Sequence, residues 1–423
     1  MAGGTRAGRP VVMVNNSLET FTPTSSGAIA TWIWEVARAA SAAGSPVRVL
    51  TRSSGQPTYP TAGVVAGLDV IDLRRHRTDS VFGRARNVGE RVARRATGWR
   101  RYEQLGYARR VLRQLSAGLP FDVAVCHNDP ELAVLLARAF PDAVVVHWFH
   151  NPLLAADRWR RRYRTAAVRS VGVSAAVART VELLYELGPD VVGSVVNGVD
   201  GERFRPGRES CDPGGTVGIG FVGRTGAEKG PDLLLDACIQ LARDPSHVPF
   251  SVQLVGANVW GDGVDTPYAR HLSAQCDELR AAGVDVTTTG HLPRADIPAA
   301  LARTAIHVVP SRWDEPCGLT LLEGMAAGCA VVASATGGMP EVVAGAGVLV
   351  PRDDVGALAD ALRGLLADTD RRRSLGQAAR TRAEELTWGR VWDAVLSAAG
   401  NGAVHAVGGS PVRWQPTGTA RTC

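Results

Sequence analysis

The loop Gly223-Arg224-Thr225-Gly226-Ala227-Glu228-Lys229-Gly230-Pro231 combines the residue types that bind a phosphate. It follows the apolar run Val217–Val222 and opens a helix whose first position is Pro231, a residue suited to that place because its missing N–H is not needed there. Glycines let the backbone come close to a ligand. Arg224 and Lys229 set two cations beside a helix N-terminus, which favours an anion. A surface turn with two solvated cations is the alternative. Composition speaks against it: of 47 lysines and arginines, Lys229 is the single lysine, and a compact ammonium does not interchange with a planar guanidinium.

Two carboxylates form the second feature. In Pro310-Ser311-Arg312-Trp313-Asp314-Glu315-Pro316-Cys317-Gly318-Leu319-Thr320-Leu321-Leu322-Glu323, a strand is predicted to end at Pro310 and a helix to start near Gly318. Glu315 then stands in the loop and Glu323 in the helix. Eight residues at helical rise span roughly 12 Å. That is enough to put one carboxylate on a sugar and the other on a ribose, with a diphosphate between them at the helix N-terminus. The plainer reading is a helix-end charge at Glu315 and an exposed Glu323, but Leu321, Leu322, Met325 and Ala326 are poor company for a solvated charge. A third feature, Gly337-Gly338, could offer backbone N–H groups to an anion.

Such loops need strands to hold them. Apolar runs at Val11–Val14, 47–50, 122–126, 143–147 and 170–173 alternate with helical patterns, the first over 28–43 and ended by Gly44. Residues 206–216 carry no apolar pattern and read as a linker. A second series follows at Val217–Val222, Phe250–Val255, 284–288, 305–309, 330–333 and Val348–Val350. Alternation of this kind predicts an α/β chain of two doubly wound parallel-sheet, Rossmann-like domains. Ligands of such sheets bind beyond the strands' carboxyl ends, and two facing domains offer a cleft. The expected division is a first domain over 1–205, a second over 217–385, and a disordered Gly/Ser/Pro/Thr-rich tail over 401–423. The stretch 386–398 has an apolar stripe, Val391, Trp392, Val395 and Leu396, at helical spacing.

Length and composition set bounds. A chain of 423 residues suggests two or three domains. No run of 18 apolar residues encodes a membrane span. The start, Met1 to Pro10, lacks the apolar stretch of a signal peptide. Seven cysteines with no CxxC pair read as reduced thiols of a cytoplasmic protein. The formal charge is +6, with nearly all the positive charge from arginine, and the basic residues cluster over 84–113 and 158–169. They come without stacking platforms or a reading helix, which argues against nucleic acid. A solvated helical face is one reading, and a patch attracting an anionic membrane or substrate is the other. The one literal metal candidate, Asp368-Thr369-Asp370, lies between helical stretches rather than after a strand, so no metal is expected.

These segments, in this order, resemble the family 4 retaining glycosyltransferases of the GT-B fold, over nearly the whole chain up to about residue 400. Glu315 and Glu323 have that family's E-x7-E spacing. Gly223, Arg224, Lys229 and Gly230 match its G-R-x4-K-G loop. Val196-Asn197-Gly198-Val199-Asp200, with Phe204 and Pro206, matches its interdomain segment. The resemblance implies that Arg224 and Lys229 hold a donor diphosphate, that Glu315 lies near the donor sugar, and that Glu323 lies on the ribose, with Gly27, Gly223, Gly318 and Leu319 also at the donor. It implies that His150, in Trp148-Phe149-His150-Asn151, lies near the reacting centre. His147 is the rival at that position, and a satisfied core histidine is the alternative for either. His127-Asn128-Asp129 resembles a family segment at a strand end. It further implies that the first domain binds the acceptor and the second the donor, and that the final helix, over 386–400, crosses back to the N-terminal domain.

Two details depart from the family pattern. Ser25-Ser26-Gly27-Ala28 stands where two glycines are usual, and Cys317 where an aromatic residue is common. Val255-Gly256-Ala257-Asn258-Val259-Trp260-Gly261-Asp262 looks closest to spore-coat-like and antibiotic-pathway members.

The expected reaction moves a hexose, of glucose or N-acetylglucosamine type, from a nucleoside diphosphate to a hydroxyl of a small acceptor. UDP is the default nucleotide, then GDP. No paired nucleophile and acid of a retaining glycosidase is legible, so same-face attack is expected. Glu19, Asp129 and Glu131 could hold a cationic amino-sugar or aminocyclitol, or be ordinary loop acids; His127 joins Glu19 and Asp129 as acceptor-side candidates. The alternatives are transfer to a cell-surface polysaccharide or lipid-linked acceptor, a GT-B epimerase or phosphorylase, and a non-catalytic protein that binds sugar nucleotides or a membrane surface.

Overall fold

The structure, a computed structural model, describes residues 10–22, 27–52, 58–59, 66–73, 99–118, 120–207, 215–257, 266–400, 404–405 and 411–412. Ser25, Ser26, residues 84–98 of the first arginine cluster, 208–214 of the linker, 258–262 and most of 401–423 lie outside the described residues. The chain forms two compact units, residues 1–195 with 391–423, and residues 196–390.

In the first unit the strands are β1 Val11–Val14, β2 Val47–Arg52, β3 Leu68–Leu73, β4 Val123–His127, β5 Val144–Phe149, β6 Val168–Gly172 and β7 Gly193–Ser194. They make one parallel sheet in the order β3-β2-β1-β4-β5-β6-β7. The fully or almost fully buried, mainly apolar strands β1, β4 and β5 suit a sheet covered on both faces, with His127 and His147 as their polar members. Helix α1, Ala28–Ala42, buries Ile29, Trp32, Ile33, Val36 and Ala40, the spacing of one helical face. Neither β3 nor β7 was legible in the apolar pattern. Both are edge strands: β3 is largely half-exposed, and β7 is two residues long.

The second unit repeats the plan. Its strands are β8 Val217–Val222, β9 Phe250–Val255, β10 Asp285–Thr288, β11 Ile306–Val309, β12 Ala330–Ser334 and β13 Val348–Val350. All are parallel, in the order β10-β9-β8-β11-β12-β13. Its core joins Ile219 and Phe221 of β8 to Leu234, Cys238, Leu279 and Leu362 from the covering helices.

The strand order reverses between β1 and β4 in one sheet and between β8 and β11 in the other. These are the switch points where loops diverge and ligands bind. The pairing of Ile306 with Ile219 and of His307 with Gly220 carries the end of β11 level with the end of β8. The Gly223 and Pro310 loops therefore leave the sheet side by side.

The division between units falls at 195/196, ahead of the compositional break at 206–216. Residues 196–206 are bonded into the second unit. Val199 N–H donates to the Leu386 carbonyl (2.8 Å), and Arg380 donates to the carbonyls of Gly201 and Phe204 (2.9 Å each). The second division, at 390/391, lies within the helix Trp388–Ala399. In the tail, which the composition predicts to be disordered, Val404–His405 pairs antiparallel with Pro411–Val412.

Candidate functional site

In the second unit, the glycine-rich loop and the glutamate loop are stitched together. After β8 the chain makes a 3-10 turn, Ala227–Lys229, and enters the helix Pro231–Ala242. Gly230 links the two at φ 69°, and a Cβ there would overlap the Pro310 carbonyl oxygen. From the other side, Arg312 N–H donates to the Glu228 carbonyl at 3.0 Å. The Arg312 guanidinium grips both carboxylate oxygens of Asp232 (2.7 and 2.6 Å), the Ala227 carbonyl (2.9 Å) and Asp353 (2.6 Å). Burial by itself would raise the Asp232 carboxyl, but this bidentate bond, with Tyr268 O–H also donating, holds it below the ordinary carboxylate range.

That stitching brings the predicted cation to the predicted carboxylate. Lys229 Nζ donates to Glu315 Oε1, and Ser311 Oγ donates to the same oxygen at 2.7 Å. Lys229 also lies 5.2 Å from the centre of the Trp313 ring. Glu315 is 6% exposed. Arg224, by contrast, is 54% exposed in its side chain and, among the described residues, makes only a loose pair with Glu228 at 3.8 Å.

Gly318 caps the helix Leu319–Ala326, and Leu319 is its first residue. Residues 315–318 lie before the helix, so helical rise covers only half of the Glu315–Glu323 spacing and the 12 Å expectation does not apply. Glu323 is 4% exposed and is not the solvated charge of the plainer reading. Its Oε1 accepts from Arg294 Nη2 at 2.7 Å.

Of the glycine pair Gly337-Gly338, one backbone donor is already taken within the protein. Gly338 N–H is taken by the Glu315 carbonyl at 2.7 Å, and a Cβ on Gly337 (φ 53°) would overlap that same oxygen. The pair seats the Glu315 backbone. Cys317 is buried, and burial pushes its thiol up to about 12 although the Asn197 backbone bonds to it. Asp368 of the literal metal candidate is a helix cap, accepting from Arg371 N–H at 2.8 Å. Among the described residues no group of three His, Cys, Asp or Glu side chains could hold a metal ion.

In the first unit, a buried polar cluster lies beyond β4 and β5. His127 Nδ1 and His150 Nε2 share a hydrogen bond of 3.0 Å. Asn128 Oδ1 accepts from the His150 N–H at 2.7 Å. Trp32 of α1 packs edge-on against both rings, 4.8 Å from His127 and 5.6 Å from His150. Burial pulls His150 down to about 3, and it pulls His127 well below the usual imidazole range with help from the neighbouring imidazoles. Both are neutral at physiological pH. His147 is a satisfied core residue: Nε2 accepts from the Asp129 N–H (3.1 Å) and Nδ1 meets Tyr163 O–H (2.9 Å).

Two of the three acidic candidates accept from helix N-termini, and Glu131 lies in the first turn of the helix that Asp129 caps. Asp129 accepts from Leu132 N–H at 2.9 Å at the start of the helix Pro130–Ala139, and burial raises its carboxyl to about 7. Glu19 accepts from Ala30 N–H at 3.2 Å in the first turn of α1. A Cβ on Gly27 would come within 2.5 Å of the Glu19 carboxyl carbon. The helix end that the resemblance gives to the donor thus holds the protein's own carboxylate.

Ser311, Arg312, Asp232 and Arg294 were missed in the sequence. Ser311 and Arg312 lie inside the glutamate segment, where their position was the available signal. Arg294 had none, because arginine is common along the whole chain.

Residues 29–203 match Glycosyltransferase Family 4, and residues 212–382 match Glycosyl transferases group 1. The chain belongs to the family 4, group 1 glycosyltransferases, and its fold is GT-B. It is 36% identical over 224 residues to the D-inositol 3-phosphate glycosyltransferase of Saccharomonospora viridis, covering 50% of this chain and 51% of that one. It is 27% identical over 298 residues to spore coat protein SA of Bacillus subtilis, covering 66% and 78%. The chain thus spans about half the length of the inositol phosphate transferases it matches. Among solved structures, Anabaena HepE in complex with UDP superposes with a TM-score of 0.65 at 17% identity, covering 91% of this chain and 97% of that one. Among the described residues no helix is long and apolar enough to cross a membrane.

Proposed function

We propose that this protein is a retaining hexosyltransferase that takes glucose or an N-acetylglucosamine-type sugar from a nucleoside diphosphate, UDP first, to a hydroxyl of a small acceptor. The observation that carries this reading is the meeting of Lys229, Glu315 and Ser311 where β8 and β11 diverge. A mobile ammonium held by a carboxylate can be handed to a diphosphate, which leaves that carboxylate for a sugar hydroxyl. In the reaction the bond from the anomeric carbon to phosphate oxygen breaks, and the acceptor oxygen bonds to the same face of that carbon. The acceptor proton goes to the departing phosphate. Lys229, Arg224 and the N-terminus of the helix Leu319–Ala326 meet the charge that develops there, without a metal. Neutral His150, set by His127 and Asn128, hydrogen-bonds a sugar hydroxyl. The setting is the cytoplasm.

The names of the inositol phosphate transferases support a phosphorylated polyol as acceptor. An aminocyclitol draws less support, because Glu19 and Asp129 are occupied as caps. A lipid-linked acceptor is the second reading: exposed Leu153 and Leu154 precede exposed Arg158, Arg161 and Arg162. Incubation with UDP- and GDP-sugars, inositol phosphates and an excess of chelator tests the proposal, with the product anomer read by NMR. An α-linked product from an α-donor is expected. An inverted product, or loss of activity on chelation, would sink the corresponding part. Flotation with anionic vesicles tests the second reading.

A further inference from the structure

We propose that Arg294 is a positioning residue that turns Glu323 toward the vicinal hydroxyls of a ribose. The ion pair, not the carboxylate alone, then sets a preference for ribonucleotides over 2′-deoxyribonucleotides. The inference rests on the reading of Glu323 as the ribose-binding group.

Glu323 is buried on the helix Leu319–Ala326 beside Leu321, Leu322 and Met325, none of which offers it a hydrogen bond. An ionised carboxylate in such surroundings requires a counter-charge and donors. Arg294 supplies both, from the loop that follows β10, with Nη2 at 2.7 Å from Oε1. The loop is itself pinned, since the Arg294 carbonyl accepts from Arg203 Nη2 at 2.7 Å. Glu323 Oε2 takes no hydrogen bond among the described residues. A guanidinium on one oxygen fixes the rotation of the carboxylate plane, because the donor geometry is rigid. The second oxygen is thereby presented in one orientation, with lone pairs for two neighbouring hydroxyls. Removal of the 2′-hydroxyl leaves part of that capacity unmet. A lysine at 294 would keep the charge and lose the planar fork.

Titration calorimetry of the full-length protein with UDP and 2′-deoxy-UDP tests this, with GDP and its deoxy form if UDP does not bind. The wild type is expected to prefer the ribonucleotide by about tenfold or more. E323Q should bring the ratio close to one. R294A should bring it below about threefold, and R294K should fall between R294A and wild type. A merely structural role for Arg294 would weaken both nucleotides alike and leave the ratio unchanged. A folded R294A that keeps the wild-type ratio overturns the proposal while the ribose reading stands. A wild type without preference, or one that binds neither nucleotide pair, overturns the ribose reading and the proposal together. If R294A does not fold, R294K decides the matter, and a ratio equal to wild type counts against it.

Discussion

Lys229 and Glu315, 86 residues apart in the chain, meet tip to tip, and Ser311 O–H shares the same carboxylate oxygen. The lone lysine of the chain is therefore committed to one side chain, and its removal strips a buried carboxylate of its counter-charge. Lys229→Ala should lower kcat/KM by roughly 30- to 1000-fold, the loss on the order of 2–4 kcal/mol expected when one charge-stabilising donor is removed. Steady-state kinetics on protein with unchanged circular dichroism is the check. Full activity would refute the phosphate role.

Arg312 and Asp232 clasp the two loops without reaching the proposed ligand groups themselves. Arg312→Ala should lower stability by about 1–3 kcal/mol. A double-mutant cycle with Asp232→Asn should show that the two losses are not additive. Additive losses in thermal melts would mean that the two residues act independently.

Gly230 and Gly337 are closely packed positions. At both, a Cβ would overlap a carbonyl oxygen, that of Pro310 or of Glu315. Gly230→Ala and Gly337→Ala should each impair folding and activity. Gly283 has a positive φ of 84° but open space around its Cβ position. Gly283→Ala should therefore cost only about 1–2 kcal/mol of backbone strain. Equal effects at all three positions, in melts and assays, would show that backbone conformation rather than close approach sets the demand.

The first unit should lose stability on acidification. His147 and His150 titrate near 6.5 when unfolded but near 3 when folded, and His127 shifts the same way. Their contribution is complete above about pH 6.5 and is lost as pH falls toward about 3. Asp129 has the opposite sign: its carboxyl moves from 3.8 to about 7, so its contribution is present below 3.8 and lost as pH rises through about 7. Asp129→Asn keeps the side-chain oxygen that caps Leu132 and removes the ionisation. The Tm difference between this variant and its parent should move in the variant's favour as pH rises from about 4 to about 8. A pH-independent difference would mean that Asp129 is ionised in the fold.

Much of the frame was legible in sequence. Buried strands of a parallel sheet are mostly apolar, so β1, β4, β5, β8, β9 and β11 could be located by hydrophobicity alone, although Ser251 and Gln253 interrupt β9 and histidines interrupt β5 and β11. The loops after them followed from glycine and proline at their ends. The edge strands β3 and β7 could not be read, since a largely half-exposed strand with two aspartates, or one two residues long, leaves no such run. The spacing of Glu315 and Glu323 and the isolation of Lys229 pointed to a phosphate and sugar site because residue type and local order are properties of the chain itself.

Partnership between side chains was decided only by the tertiary structure. Strand order reverses between β8 and β11, and this sets loops far apart in sequence against each other. Only then does Lys229 find Glu315, Arg312 find Asp232, and Arg294 find Glu323. The same holds for the histidines. His147 and His150 sit three residues apart on one strand and the turn after it, yet one is satisfied by Tyr163 and the Asp129 backbone and the other faces His127. Glu19 and Asp129, free acids on paper, are consumed by helix N-termini once the chain folds. Hydrophobic periodicity records which residues are buried, whereas the partner of a buried charge depends on which strands are neighbours, and that information is non-local.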